Sequence, residues 1–152
     1  MSRSEMQSLP PLDRPGWMAL LAKSSPARLA ALMPQLPDHE TLRAPEIGAV
    51  MVRGRTGATG APFNLGEMTV TRCAVRLGDG SVGHAWVQGR DRDHARRAAV
   101  ADALLQGETA PRIRRDVLEV LAADAAAARA ARAARAADTK VDFFTMVRGE
   151  DQ

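Results

Sequence analysis

The tripeptide Gly78-Asp79-Gly80 stands between two stretches of alternating apolar and polar residues, so the chain must reverse direction there. Val82 to Gln88 reads as the strand after the turn, with His84 between Gly83 and Ala85 and then Trp86. Gly66 to Leu77 reads as the strand before it. Within that strand Met68 and Val70 share one phase, whereas Cys73, Val75 and Leu77 share the other, which predicts a β-bulge near Thr71-Arg72. From Thr41 the pattern is already extended. Ile47, Ala49 and Met51 alternate with Val50 and Val52, so both faces are partly apolar, as a central strand requires. The Gly-rich stretch Arg53–Ala61 reads as the loop between these two strands.

Helices flank this core. Pro15, preceded by Asp13 or Arg14, and Pro26, preceded by Ser25, each suit a helix start. Asp91 is a natural N-cap for a helix whose Ala95, Ala98, Ala101, Leu104 and Leu105 form an apolar stripe, closed by Gly107. Pro111 opens a longer helix lined by Ile113, Val117, Val120 and Leu121, continued by an alanine-rich run over 122–137 that favours helix even with little to pack against. The expected architecture is α+β: a small antiparallel sheet of three or four strands, flanked by N-terminal and C-terminal helices. Residues 1–12 read as a flexible arm, 13–140 as a single domain and 141–152 as a C-terminal interaction tail.

Composition narrows the function classes. The chain has 152 residues, enough for one core. One cysteine, Cys73, excludes an internal disulfide and an all-Cys zinc site. No run approaches the roughly 18–20 apolar residues of a membrane span, and Met1–Glu5 lacks the apolar stretch of a signal peptide, so a cytoplasmic protein is expected. Nineteen of the 21 basic residues are Arg, yet the net charge is only +3 and there is no Tyr. That is thin stock for a nucleic-acid-binding module, which remains the alternative to a complex subunit.

No catalytic signature is present, and no metal spacing is demanded by His84, His94 and Asp91. Gly57-Ala58-Thr59-Gly60 lacks the Gly-Lys-Ser/Thr ending of a phosphate loop and reads as a hairpin-like loop. The one compact polar constellation is Arg90, Asp91, Asp93 and His94 at a strand-to-helix junction. Free backbone N–H groups and the positive end of a helix favour an anion there, so Arg90, Asp91 and His94 are candidate phosphate or phosphonate contacts. Equally, Asp91 caps the helix, Asp93 complements its dipole, and His94 packs on Trp86 or the sheet. The tail carries Val141, Phe143, Phe144, Met146 and Arg148, with apolar residues on both faces of any extended form. It either folds back on its own sheet or docks on a partner as an added strand or anchor.

Three segments together resemble a known family. They are Thr71-Arg72-Cys73-Ala74-Val75-Arg76-Leu77, Gly83-His84-Ala85-Trp86-Val87-Gln88-Gly89-Arg90-Asp91 with His94-Ala95 and Asp102-Ala103-Leu104, and Val141-Asp142-Phe143-Phe144-Thr145-Met146-Val147-Arg148-Gly149. The chain is similar to the G subunit of the bacterial carbon–phosphorus lyase system, the PhnG family. The resemblance implies a cytoplasmic core complex with H, I and J subunits, the I subunit being the most direct partner. In that complex an alkylphosphonate is attached to C1 of the ribose of ATP and adenine is displaced, giving a ribose 1-alkylphosphonate 5-triphosphate. ATP is then a substrate of the complex, and no cofactor or catalytic residue is implied for this subunit. Two roles stay open: a scaffold without ligand contact, or a subunit that lends Arg90 and His94 to a shared site.

Overall fold

The computed structural model describes residues 12–141. Asp13 opens the first helix, α1 (Arg14–Lys23), its Oδ1 accepting from the Gly16 N–H at 2.9 Å. Ser25 caps α2 (Pro26–Leu32) through the Arg28 N–H, with Pro26 in the first turn as expected. Three strands follow: β1 (His39–Arg55), β2 (Pro62–Leu77) and β3 (Val82–Gln88). They form one antiparallel sheet in the order β1-β2-β3. At the turn between β2 and β3 the Asp79 carboxylate accepts from the Ser81 N–H at 2.8 Å. Helix α3 (Arg92–Leu104) comes next, then α4 (Ala110–Ile113), a π-helical turn (Arg114–Leu118) and α5 (Glu119–Asp138). Among the described residues no helix is long and apolar enough to cross a membrane.

The expected α+β class and flanking helices are present, and the sheet, expected with three or four strands, has three among the described residues. Three local expectations are corrected. First, the Thr41–Val52 stretch belongs to an edge strand: β2 is central, and no residue of β1 is buried. Apolar residues on both faces there reflect two uncovered faces rather than two covered ones. Second, β2 and β3 pair without interruption from Val70–Gln88 to Arg76–Val82, so there is no bulge at Thr71-Arg72. The register shifts lie between Thr41 and Arg43, between Arg43 and Glu46, and between Val52 and Arg53. Thr71 faces the core with Cys73 and Val75 because its hydroxyl donates to the Gly89 carbonyl at 2.8 Å, which removes the cost of burying it. Third, the loop between the strands shrinks to Thr56–Ala61, because β1 runs on to Arg55 and β2 already starts at Pro62.

The core lies on one face of the sheet. Helix α3 sits against β2 and β3 and is in turn covered by α1, α2 and the short helix α4. It is therefore buried nearly all round, from His94 through Ala103 apart from Arg96 and Arg97. Its alanines serve approach rather than bulk. A Cβ at Gly83 of β3 would lie 1.9 Å from the Ala99 carbonyl oxygen and 2.9 Å from the Ala103 methyl. Helix and strand backbones are thus in direct contact, which only a glycine permits. Leu21, Leu29, Val75, Val87, Val100 and Val117 are the large, fully buried apolar members of the same core cluster, each contributing roughly 1.5–3 kcal/mol relative to exposure.

Leu12, the last residue of the expected arm, packs against this core, and its carbonyl accepts from Arg114 at 2.9 Å. At the other end Leu121 is the last buried residue of α5. Beyond it the alanine-rich helix stands largely free of the body, tied back by the Arg28–Asp124 ion pair at 2.7 Å. Intrinsic propensity sustains it there.

The helix–strand contact yields a direct expectation. Gly83→Ala forces backbone apart and lowers stability by about 3 kcal/mol, whereas Gly48→Ala, where a Cβ meets nothing within 4 Å, stays within about 0.5 kcal/mol of the parent. Urea unfolding midpoints of the two variants check this.

Candidate functional site

The polar interior is organised by Asp102, whose side chain has no exposed surface. Its Oδ1 accepts from Trp17 Nε1 at 2.8 Å and Arg14 Nε at 3.1 Å. Its Oδ2 accepts from Arg14 Nη2 at 2.7 Å and from the His84 backbone N–H at 2.9 Å. One carboxylate thereby joins α1, β3 and α3. The His84 N–H lies on the side of β3 away from β2, so Asp102 and α1 together close that edge of the sheet. The ion pair holds the Arg14 guanidinium firmly in its charged form. Trp17 also lies under the Arg114 guanidinium, 4.9 Å from its ring centroid. Gln106 completes the cluster by donating to the carbonyls of Val82 and Asp102. With four donors already satisfied at its two oxygens, Asp102 is equipped to hold elements together.

Asp91 caps α3, its Oδ1 accepting from the His94 N–H at 2.9 Å. Asp93 pairs with Arg97, which also donates to the Met33 carbonyl. Arg90 is exposed, with no hydrogen bond or ion pair among the described residues. The His94 ring turns the other way. It is buried, with Nε2 3.0 Å from the Leu21 carbonyl oxygen and 3.1 Å from Ser24 Oγ. The carbonyl requires Nε2 to carry the proton, which leaves Nδ1 buried without a partner. The structure therefore brings Arg90 and Asp91 to the surface together and separates the His94 imidazole from them. His84, by contrast, lies on the far face of the sheet.

Among the described residues, that far face carries no helix. Arg72 of β2 lies 5.5 Å over the Trp86 ring of β3 and donates to Glu46 of β1 at 2.9 Å, while Arg43 reaches the same carboxylate at 3.1 Å. The two guanidinium groups hold the Glu46 carboxyl below the usual carboxylate range. Trp86 remains half exposed, at 50%. Beside it, a shallow apolar cleft of about 190 Å³ opens between α1 and β3, walled by Met18, Ala22, His84, Trp86 and Val87. Cys73 is buried on the opposite face, where burial pushes its thiol up and keeps it protonated. At the start of the expected tail Val141 is 68% exposed. Phe143, Phe144, Met146 and Arg148 lie outside the described residues.

Sequence reading missed the Asp102 cluster and the open outer face. A carboxylate at position 102, embedded among alanines in an apolar helix, was the available signal for the first. Nothing local marks the second, because it depends on which side of the sheet the helices choose.

A polar interior devoted to joining helices and an outer face that the described residues leave uncovered define a small α+β interaction module. The family described as Phosphonate metabolism protein PhnG matches residues 12–149, and the chain belongs to that family. It is also 44% identical over 137 residues, 88% of either chain, to a protein of Rhizobium meliloti (strain 1021) named alpha-D-ribose 1-methylphosphonate 5-triphosphate synthase subunit PhnG.

Two substitutions probe the interior. In Asp102→Asn an amide N–H₂ faces either the Arg14 and His84 donors or those of Arg14 and Trp17, and stability falls by about 3 kcal/mol, read as a lower urea midpoint at unchanged slope. For His94, burial depresses the pKa, partly offset by the Leu21 carbonyl and by Asp91 and Asp93. Unfolding restores it to about 6.5, so in the window just below that value the unfolded chain takes up a proton that the native chain does not. Native stability is therefore full above that window and declines as pH falls through it. Urea midpoints at pH 7.5 and 5.5 should differ more for the parent than for His94→Gln, which keeps a donor for Leu21 without titrating.

Proposed function

We propose that this chain is an accessory subunit of alpha-D-ribose 1-methylphosphonate 5-triphosphate synthase. The observation that carries the reading is identity of 44% across 88% of a protein bearing that subunit's name. In the proposed reaction a phosphonate oxygen bonds to C1 of the ribose of ATP as the C1–N9 bond breaks, and adenine leaves with the electron pair. The buried charges of this chain serve its own packing, so its contribution is to organise other subunits. Those partners are the H, I and J subunits, the I subunit most directly, acting together in the cytoplasm. The tail residues Val141, Phe143, Phe144, Met146 and Arg148 belong to the contact with them.

A second reading is favoured by one observation: Arg90 is exposed and unpaired among the described residues, beside the N-terminal end of α3. There it is available to a triphosphate or phosphonate in a site shared with a partner, with Asp91 and the His94 N–H close by.

Reconstitution separates these roles. Adenine release from ATP and methylphosphonate by the remaining subunits should require the full chain. If Arg90→Ala assembles normally and sustains that release, the role is organisational. If it assembles and loses at least about 100-fold in rate, the shared-site reading holds. Full activity without the chain would reject both.

A further inference from the structure

We propose that the projecting end of the β1–β2 ribbon is the arm by which this chain grips another subunit of the synthase, at an apolar groove rimmed by carboxylates. The proposal rests on the subunit role above and adds where and how contact is made.

The ribbon outgrows its support. Over Gly48–Arg55 of β1 and Pro62–Glu67 of β2 no residue is buried, although the strands stay paired out to Arg55 and Pro62. Eight residues of strand reach roughly 26 Å, and a two-stranded ribbon is marginal at best in water without a further layer. The side chains on it are nonetheless those of a covered surface. Val50 pairs with Met68 and Val52 with Gly66, and strand alternation puts all four on the outer face of the sheet. One extra β2 residue, Leu65, then shifts the register. Gly54 follows Val52 on that face, and both Leu65 and the Phe63 ring lie 3.8 Å from where its Cβ would stand. The result is a continuous stripe of Met68, Val50, Val52, Leu65 and Phe63, leading through Val70 to Arg72 and Trp86. Phe63 is 45% exposed and Leu65 66%, values at odds with a surface meant for water.

Charge defines what covers it. The free part of the ribbon carries two cations, Arg53 and Arg55, against one anion, Glu67. Arg55 donates to the Gly60 carbonyl at the ribbon tip, while Arg53 and Glu67 have no ion pair among the described residues. By contrast, the charged residues at the root of the sheet, Arg43, Glu46 and Arg72, are already paired with one another. The unspent positive charge is thus at the projecting end, and its complement is a carboxylate rim around an apolar groove.

The test uses the full chain co-expressed with the other synthase subunits. Co-elution of the parent establishes the subunit role; its absence overturns that role and this proposal together. Given co-elution, Phe63→Ser/Leu65→Ser should weaken binding about tenfold or more while the isolated chain keeps its circular dichroism and thermal midpoint. Should that variant fail to fold, Arg53→Glu, a surface change, decides: binding falls several-fold at low salt and the deficit narrows at high salt. Unchanged binding by a folded ribbon variant overturns the ribbon proposal and leaves the subunit role standing. A dimer of the isolated parent, seen by light scattering and dissolved by the same double substitution, assigns the stripe to a second copy and also overturns it.

Discussion

Everything on the closed side of this molecule is tied to the burial of one carboxylate. Asp102 has no contact with water, and a charge in that position is tolerated only when its lone pairs are met by well-placed donors. Arg14, Trp17 and the His84 N–H meet them, and these donors come from α1 and from the free edge of β3. Satisfying Asp102 therefore forces α1 to lie along that edge. Once α1 is there, Leu21 presents its carbonyl to His94, Trp17 comes under Arg114, and the helical layer closes over α3. Gly83 sets the depth of the arrangement by letting α3 approach to backbone contact.

The same closure leaves the opposite face exposed. Among the described residues, the helices that pack on the sheet lie on one side, so Arg72, Trp86 and the stripe toward Phe63 share a face that no described helix covers. The two edges differ as well: β3 is sealed by α1 and Asp102, whereas β1 presents a long unpaired edge. Such asymmetry suits a subunit, since an uncovered apolar face and an open edge are liabilities for a solitary protein. Membership of the PhnG family accords with a chain whose interior chemistry is architectural and whose exterior is unfinished.

Local signals were legible where a few adjacent residues decide the outcome. Asp13, Ser25 and Asp91 as caps, Gly78–Gly80 as a reversal and the alanine helix all follow from short-range chemistry. Site residues were less legible. Asp91 and His94 are three apart and share a cap hydrogen bond, yet the ring of His94 answers to Leu21, more than seventy positions away. The apolar phases of β2 suggested a bulge because its two faces are both apolar, and only the placement of a helix on one of them distinguishes core from exposed surface.

The amino-acid sequence by itself determined the elements, their order, the α+β class and, through long motifs, the kinship with phosphonate metabolism proteins. Tertiary structure alone decided that β2 rather than β1 is central, that Asp102 is the hub, and that the described helices all gather on one face of the sheet. The physical reason is range. Caps, turns and periodicities act within a few residues along the chain, whereas burial depends on which distant surfaces meet, and no local pattern specifies that meeting.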